Sequence, residues 1–177
     1  GRELLLGRIP DANAGPIARE LDASGIPLAG ISVVGDVPDE IATSVRGGLA
    51  RARVLLVIGG LGATQDDVTR EGVAKALGLA LRPDPVAVEA IRGTLARLGR
   101  PPSRAADRMG ILPEGAEVIP NPAGLAPAFA LRSGEGHVVV LPGVPAGCAA
   151  IFSASVLPIL AAGGESAERG LARLRLA

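Results

Sequence analysis

One stretch of the sequence, VLLVIGGLGATQDDVTREGVAKALG at residues 54–78, restricts the possible folds more than any other. It opens with an apolar run that does not alternate with polar residues, which is typical of a strand covered on both faces. Three glycines follow within four residues, and two aspartates then precede a helical pattern that ends at Gly78. A covered strand, a glycine turn and a helix in succession predict an α/β layered fold with a largely parallel sheet.

The rest of the chain continues this alternation of helices and strands. Helical spacing of apolar residues predicts helices at 14–24, 38–52, 70–77 and 84–98, with a last helix ending at residue 160. Apolar runs predict strands at 31–34, 54–58, 117–120, 128–132 and 137–141, and a further strand at 171–177. Residues 99–110, rich in proline and arginine, are predicted to form a loop.

Charge and composition exclude several classes of protein. The 18 basic and 18 acidic residues give a formal net charge of zero, so no basic surface for nucleic acid or an anionic membrane is expected. The single cysteine, Cys148, excludes an internal disulfide, and no Cys/His spacing resembles a zinc site. Apolar runs are too short to span a membrane and no signal peptide is visible, so a cytoplasmic protein is expected.

Three loops are expected at the carboxyl ends of the strands, where α/β sheets bind ligands. They contain Gly35-Asp36, the segment 59–67 and the segment 142–145. Glycine amides and a following helix N-terminus suit a phosphate. The carboxylates of Asp66 and Asp67 suit a divalent cation, a sugar hydroxyl or a water molecule. A phosphoanhydride is one substrate that would use both the glycines and the aspartates of this loop. The alternative is structural, with a glycine turn and two aspartates that cap a helix.

Other reactive side chains are expected to be structural. His137 opens a covered strand and has no second histidine to act with. Cys148 stands near a helix start, which favours a lowered thiol pKa, but a free cysteine usually behaves as a small apolar residue. The arginines between residues 92 and 108 are expected to form a solvated face.

Several phrases, taken in order, carry a resemblance to a known family. They are GRELLLGRIPDANA, VVGDVPDEI, GGLGATQDDVTREGVAKALG, GRPP, LPEGAEVIPNPAGLAPAF and LPGVPAGCAAIFSASVLPIL. This set resembles the N-terminal domain of the competence/damage-inducible CinA family, which shares the molybdopterin-binding fold of MoaB and MogA. The resemblance implies a three-layer α/β/α sandwich over residues 1–162, with its first strand missing before Gly1. Residues 163–177 are then expected to be a linker and strand that lead toward an absent amidohydrolase domain.

The resemblance implies activity at a phosphorus centre next to a nucleotide. The resemblance to CinA-type domains implies hydrolysis of ADP-ribose to AMP and ribose 5-phosphate with a divalent metal. The resemblance to MogA-type relatives implies binding and adenylylation of molybdopterin. The implied partner is thus a nucleotide or pterin phosphate, and a homodimer or homotrimer is expected. The matching positions imply Asp36 and Asp67 as catalytic residues and Asp36, Asp66 and Asp67 as metal ligands. Substrate contacts are implied for the following residues: Glu3, Asn13, Gly59, Gly60, Gly62, Thr64, Pro142, Gly143 and Pro145.

The chain also departs from the family pattern. Ala63 replaces a proline, Leu125 and Ala128 replace a threonine and a glycine, Met109-Gly110 replaces a Gln-Ala pair, and Gly147 replaces an acidic residue. These departures favour a third hypothesis, a catalytically degenerate domain that serves oligomerisation or scaffolding.

Overall fold

The structure, a computed structural model, describes residues 1–134 and 136–163. Short loops join its helices and strands, and a π-helical segment, Phe152–Val156, links the last two helices. In chain order the elements are α1 (Arg2–Leu5), α2 (Ala14–Ala23), α3 (Pro38–Leu49), β1 (Val54–Ile58), α4 (Thr69–Leu77), β2 (Leu81–Pro83), α5 (Pro85–Arg97), α6 (Arg104–Met109), β3 (Ile111–Pro113), β4 (Glu117–Ile119), β5 (Ala128–Ser133), β6 (Gly136–Leu141), α7 (Pro145–Ile151) and α8 (Leu157–Ala161).

The central sheet has four strands in the order β1-β6-β5-β4. β1 and β6 are parallel, with Val54 opposite His137 and Ile58 opposite Leu141, so both strands end at the same edge. β5 is antiparallel to β6 and to β4, which makes the sheet mixed. A separate pair, β2 and β3, is antiparallel.

Each face of the sheet buries its own apolar core, as the strand pattern predicts. On β6, Val139 and Leu141 pack in the core formed with α2, α7 and the π-helical segment. Val138 and Val140 pack on the other face with residues of α3 and α4. Alternate side chains of one strand thus enter opposite cores. The three-layer α/β/α class is confirmed.

Most predicted elements lie within two or three residues of the observed ones. Residues 54–58 form β1 as predicted, and α4 ends at Gly78, whose φ of 68° is the left-handed cap conformation that glycine favours. The predicted strand at 171–177 lies outside the described residues.

The predicted strand at 31–34 is wrong. The segment pairs with no strand in the described part of the chain, and Ile31 and Val33 are 59% and 40% exposed. The ammonium group of Gly1 donates a hydrogen bond to the carbonyl of Val34 at 3.1 Å. A strand requires a ladder partner, and an apolar composition alone does not provide one.

The predicted loop at 99–110 is wrong in its second half, which forms α6. Ser103 caps this short helix, since its hydroxyl oxygen accepts a hydrogen bond from the amide of Ala106 at 3.2 Å. Ala106 and Met109 are buried against α5. No helix among the described residues has the length and apolarity needed to cross a bilayer.

Candidate functional site

A cleft of about 460 Å³ lies beyond the carboxyl ends of β1 and β6. Its walls come from the start of the chain, the turn at Gly35-Asp36, the segment from Val57 to Thr69 and the turn at Gly143. The three loops predicted to meet at this edge therefore do meet. A shallower groove of about 530 Å³ lies beside it against α3, but that groove contains no residue of the glycine loop.

Gly59 and Gly60, the first half of the glycine loop at residues 59–62, form the floor of the cleft in a conformation that excludes side chains. Gly59 and Gly60 have φ values of 99° and 67°, in the left-handed region. A Cβ atom on Gly60 would lie 2.1 Å from Oγ1 of Thr69, and one on Gly143 would lie 3.1 Å from Cα of Gly59. Gly59 and Gly60 thus leave bare backbone in the cleft. Leu61, which is 3% exposed, anchors the loop in the core.

Asp67 fixes the segment that follows the glycine loop. Its Oδ2 accepts hydrogen bonds from the amide of Thr64 at 2.9 Å and from the hydroxyl of Thr64 at 2.6 Å. Partial burial raises the pKa of Asp67, but hydrogen bonds from Thr64 and Gly62 and the charge of Arg70 outweigh this effect, so the pKa is lowered. The carboxylate and the predicted ligand hydroxyl of Thr64 are therefore engaged with each other.

The other two predicted carboxylates also line the cleft. Asp36 accepts a hydrogen bond from the amide of Arg2 at 2.9 Å, and Asp66 is exposed. Within residues 1–134 and 136–163, no three His, Cys, Asp or Glu side chains come close enough to hold a metal ion. Oδ2 of Asp67 is also engaged with Thr64, so these side chains do not form a ready metal site by themselves, and the metal set stays a prediction.

The remaining predicted contacts fall into two groups. Glu3, Asn13, Gly143 and Pro145 line the cleft, whereas Pro142 and Gly62 lie outside its wall. The side-chain amide of Asn13 donates to the carbonyl of Gly143 at 2.9 Å, which ties two loops that are 130 residues apart. Asn13 is thus a link between cleft walls.

Sequence reasoning missed several residues of the site, and three of them are polar: Asp11, which lines the cleft, Thr69 and Arg70. Thr69, 7% exposed, lines the cleft with its hydroxyl beside Gly60. Arg70, 2% exposed, lies behind the loop and donates to the carbonyls of Leu61 and Gly62 at 2.7 and 3.0 Å. Threonine and arginine are common at the start of a helix and do not by themselves indicate a functional site. The one sequence feature that could have indicated their role is that both closely follow the Asp66-Asp67 pair.

The departures from the family pattern lie outside the cleft wall. Ala63, Leu125 and Met109 pack in one apolar cluster with α5 and α6, and Ala128 is fully buried in β5. A Cβ atom on Gly147 would lie 2.9 Å from Nδ2 of Asn121, so a larger residue would displace the buried Asn121. These changes are explained by packing, and they give no support to a degenerate cleft.

His137 and the arginine face are structural, in agreement with their sequence interpretation. His137 is 3% exposed at the amino end of β6, opposite the cleft, and its amide donates to the carbonyl of Arg53 at 2.7 Å. Four of the five arginines of this face, Arg92, Arg97, Arg100 and Arg104, are exposed, whereas Arg108 is half-buried and its charge acts on Arg70.

Cys148 is expected to resist alkylation in the native protein. The thiol is 1% exposed, and burial, together with the charge of Asp11, raises its pKa to about 11, contrary to the lowered value that its helix position favours. Iodoacetamide labelling at pH 8, followed by mass spectrometry, should be complete only after unfolding in guanidinium. Rapid stoichiometric labelling of the folded chain would show that the thiol is accessible.

Comparisons with known proteins agree with this architecture. The model of the family described as "Probable molybdopterin binding domain" matches residues 1–162. A CinA-like protein of Frankia casuarinae is 43% identical over 173 residues, which cover 94% of this chain and 40% of that protein. A CinA-like protein of Desulfosudis oleivorans is 42% identical over 89% of this chain and 38% of its own length. The chain thus spans about two fifths of the length of these relatives.

Solved structures show the same fold. The CinA protein of unknown function from Thermoplasma acidophilum superposes with a TM-score of 0.79 at 35% identity, covering 87% of this chain and 90% of that one. The molybdopterin biosynthesis enzyme MoaB of Thermus thermophilus superposes with a TM-score of 0.58 at 25% identity, covering 89% and 85%. Fold and cleft together define an α/β domain of the molybdopterin-binding class. The chain belongs to this family as a CinA-type, MoaB-like domain.

Proposed function

We propose that the cleft binds a phosphorylated small molecule of the pterin or nucleotide type, with molybdopterin as the first candidate. The observation that carries the proposal is the bare backbone of Gly59 and Gly60 at the end of β1, ahead of α4. A backbone without side chains allows close approach of phosphate oxygens. The amide of Gly59 already donates to the carbonyl of Leu141 at 2.9 Å, so the proposed phosphate donor is the amide of Gly60, and the start of α4 adds partial positive charge. Membership of the molybdopterin-binding family supports a pterin as the rest of the ligand.

The carboxylates of the cleft suit the part of the ligand that carries no phosphate. Asp36 and Asp66 both line the cleft, and an ionised carboxylate only accepts hydrogen bonds. A pterin ring presents N–H donors, and a ribose presents hydroxyls. In this orientation the phosphate lies at the glycine loop and the donor-rich ring or sugar lies at the carboxylates. The negative charge of the phosphate is then kept apart from the negative charges of Asp36 and Asp66.

A second candidate function is hydrolysis of ADP-ribose to AMP and ribose 5-phosphate. The similarity to CinA-like proteins and the exposed carboxylate of Asp66 favour it. Asp36, Asp66 and Asp67 are the side chains predicted to hold a divalent cation in this activity, and the cation would supply polarisation of the phosphoanhydride. Since the chain's own carboxylates gather no metal set among the described residues, the ligand's phosphates would have to complete any coordination. Adenylyl transfer to a bound pterin phosphate is the corresponding activity of the pterin hypothesis.

Isothermal titration separates these functions. We expect molybdopterin to bind, and its dephosphorylated form to bind about 10- to 100-fold more weakly, since a charge-assisted hydrogen bond is lost. Incubation with ADP-ribose and Mg²⁺ should release AMP only if the second candidate is correct. Absence of binding by molybdopterin, AMP and ADP-ribose would contradict both and favour the scaffolding hypothesis. Light scattering of the same samples tests the predicted dimer or trimer.

A further inference from the structure

The guanidinium of Arg70 is buried directly behind the floor of the cleft. It donates hydrogen bonds to the carbonyl oxygens of Leu61 at 2.7 Å, Gly62 at 3.0 Å and Asp67 at 3.4 Å. The residue is 2% exposed and is not part of the cleft wall. One side chain thus holds both ends of the segment 61–67.

These contacts fix the direction of the loop's peptide groups. In a trans peptide the carbonyl and the following N–H point in opposite directions. With the carbonyl of Leu61 turned toward Arg70, the amide of Gly62 faces the opposite way, where it contributes a hydrogen bond to Asp67. Arg70 and the carboxylate of Asp67 therefore hold the loop from its two sides.

The surroundings of Arg70 leave its charge incompletely balanced. Asp67 and Glu71 are the acidic groups that act on it, and among the described residues neither forms an ion pair with its guanidinium, whereas Arg108 adds a second positive charge nearby. Burial lowers the pKa of Arg70, but a guanidinium stays charged at physiological pH. A buried cation held by carbonyls costs desolvation energy, and its field extends into the adjoining low-dielectric region. The glycine loop meets this charge directly, because the carbonyls of Leu61 and Gly62 accept hydrogen bonds from the guanidinium.

We propose that Arg70 is the positioning residue of the cleft: it holds the glycine loop in its phosphate-accepting conformation and adds positive charge behind it, without contacting the ligand. This inference rests on the proposed function for the identity of the ligand. Lysine could not replace it, because a single ammonium group lacks the planar fork that reaches separate carbonyls.

The test compares Arg70→Met and Arg70→Lys with a matched control, Arg97→Met. Arg97 is exposed, and its guanidinium bonds only the hydroxyl of Thr94, at 2.9 Å, among the contacts described. Hydrogen exchange measured by mass spectrometry reports on the loop in the absence of ligand. We expect exchange at residues 60–68 to accelerate at least about tenfold in Arg70→Met, less in Arg70→Lys and not in the control, with β6 unchanged.

Titration with molybdopterin and with its dephosphorylated form supplies the second readout. Arg70→Met should weaken binding of molybdopterin by about 10- to 100-fold and leave binding of the dephosphorylated form within about threefold. A purely structural role would weaken both equally and would overturn the proposal, as would unchanged loop exchange in folded Arg70→Met. If the wild-type chain binds neither form, the proposed function fails, and the exchange experiment alone decides whether Arg70 holds the loop.

Discussion

Substitution of Gly60 by alanine is expected to lower the free energy of unfolding by about 2 to 5 kcal/mol and to abolish ligand binding. The new methyl group would lie 2.1 Å from Oγ1 of Thr69, and the residue would keep a left-handed backbone at φ 67°. Overpacking and left-handed strain each cost about 1 to 3 kcal/mol. Because the carbonyl of Gly60 accepts the amide of Thr69 at 3.3 Å, the loop cannot move away without releasing the start of α4.

Two variants isolate the collision from the backbone strain. Gly78 has nearly the same φ, 68°, and open space where a Cβ would lie, so Gly78→Ala should cost only about 1 kcal/mol. Adding Thr69→Ala to Gly60→Ala should restore part of the lost stability, because the colliding hydroxyl is removed. Chemical denaturation measures all of these. Equal losses for Gly60→Ala and Gly78→Ala would show that the close approach to Thr69 is unimportant.

Substitution of Asp67 by alanine is expected to destabilise the chain by about 2 kcal/mol and to weaken ligand binding about tenfold or more. Two hydrogen bonds from Thr64 to an ionised carboxylate would be lost at a partly exposed site. Asp67→Asn should cost roughly half as much, since an amide oxygen still accepts both bonds. If instead Asp67→Asn leaves stability unchanged and abolishes release of AMP from ADP-ribose, Asp67 acts in the reaction and the positional role is wrong.

The same carboxylate gives a pH dependence of definite sign. The folded-state pKa of Asp67 lies below its ordinary value of 3.8, so the folded chain binds the proton less tightly than the unfolded chain. Its stabilisation is complete above pH 3.8 and is lost as the pH falls through the folded-state pKa. The stability difference between the wild type and Asp67→Asn should therefore be constant near neutrality and shrink in acid. A difference that grows in acid would contradict this.

Sequence reasoning located the site because its signals are local. Apolar runs predict β1 and β6, and parallel strands that end together bring their following loops to one edge. Gly60 and Gly143 were placed in one cleft on that basis, and the structure places them there. Asp36 lines the same cleft, although the strand that was predicted to precede it at 31–34 did not form. Positions such as Gly60, where only glycine fits, are visible in a sequence as clustered glycines.

The roles of individual side chains could not be predicted in the same way, because they depend on which groups meet in space. Asp67 is predicted as a metal ligand, and the turn at 64–67 gives its carboxylate a second, structural contact with Thr64 that the sequence did not indicate. Asn13 is predicted as a ligand contact, and the structure adds a hydrogen bond from its amide to the carbonyl of Gly143. Arg70 gave no signal, since nothing in a helix-start arginine indicates three carbonyl partners. The strand predicted at 31–34 failed for the related reason that pairing depends on other segments, and no strand among the described residues pairs with it.

The interpretation of the family departures changed for a physical reason as well. In the sequence, Ala63, Met109 and Leu125 each replace a residue that is usual in the family, and they were expected to lie near the cleft. In the structure all three lie in one apolar cluster with residues of α5 and α6, and none of them lines the cleft. Which residues pack together cannot be read from the sequence, and the structure places these departures in apolar packing outside the cleft wall.

The central claim, that the glycine floor holds a phosphate, is tested most directly by amide NMR of the ¹⁵N-labelled chain during titration with molybdopterin. The expected result is that the largest downfield shifts occur at Gly60 and neighbouring cleft amides, and that they are absent with the dephosphorylated ligand. Shifts that are the same for both ligands, or that cluster at the groove beside α3, would contradict the claim.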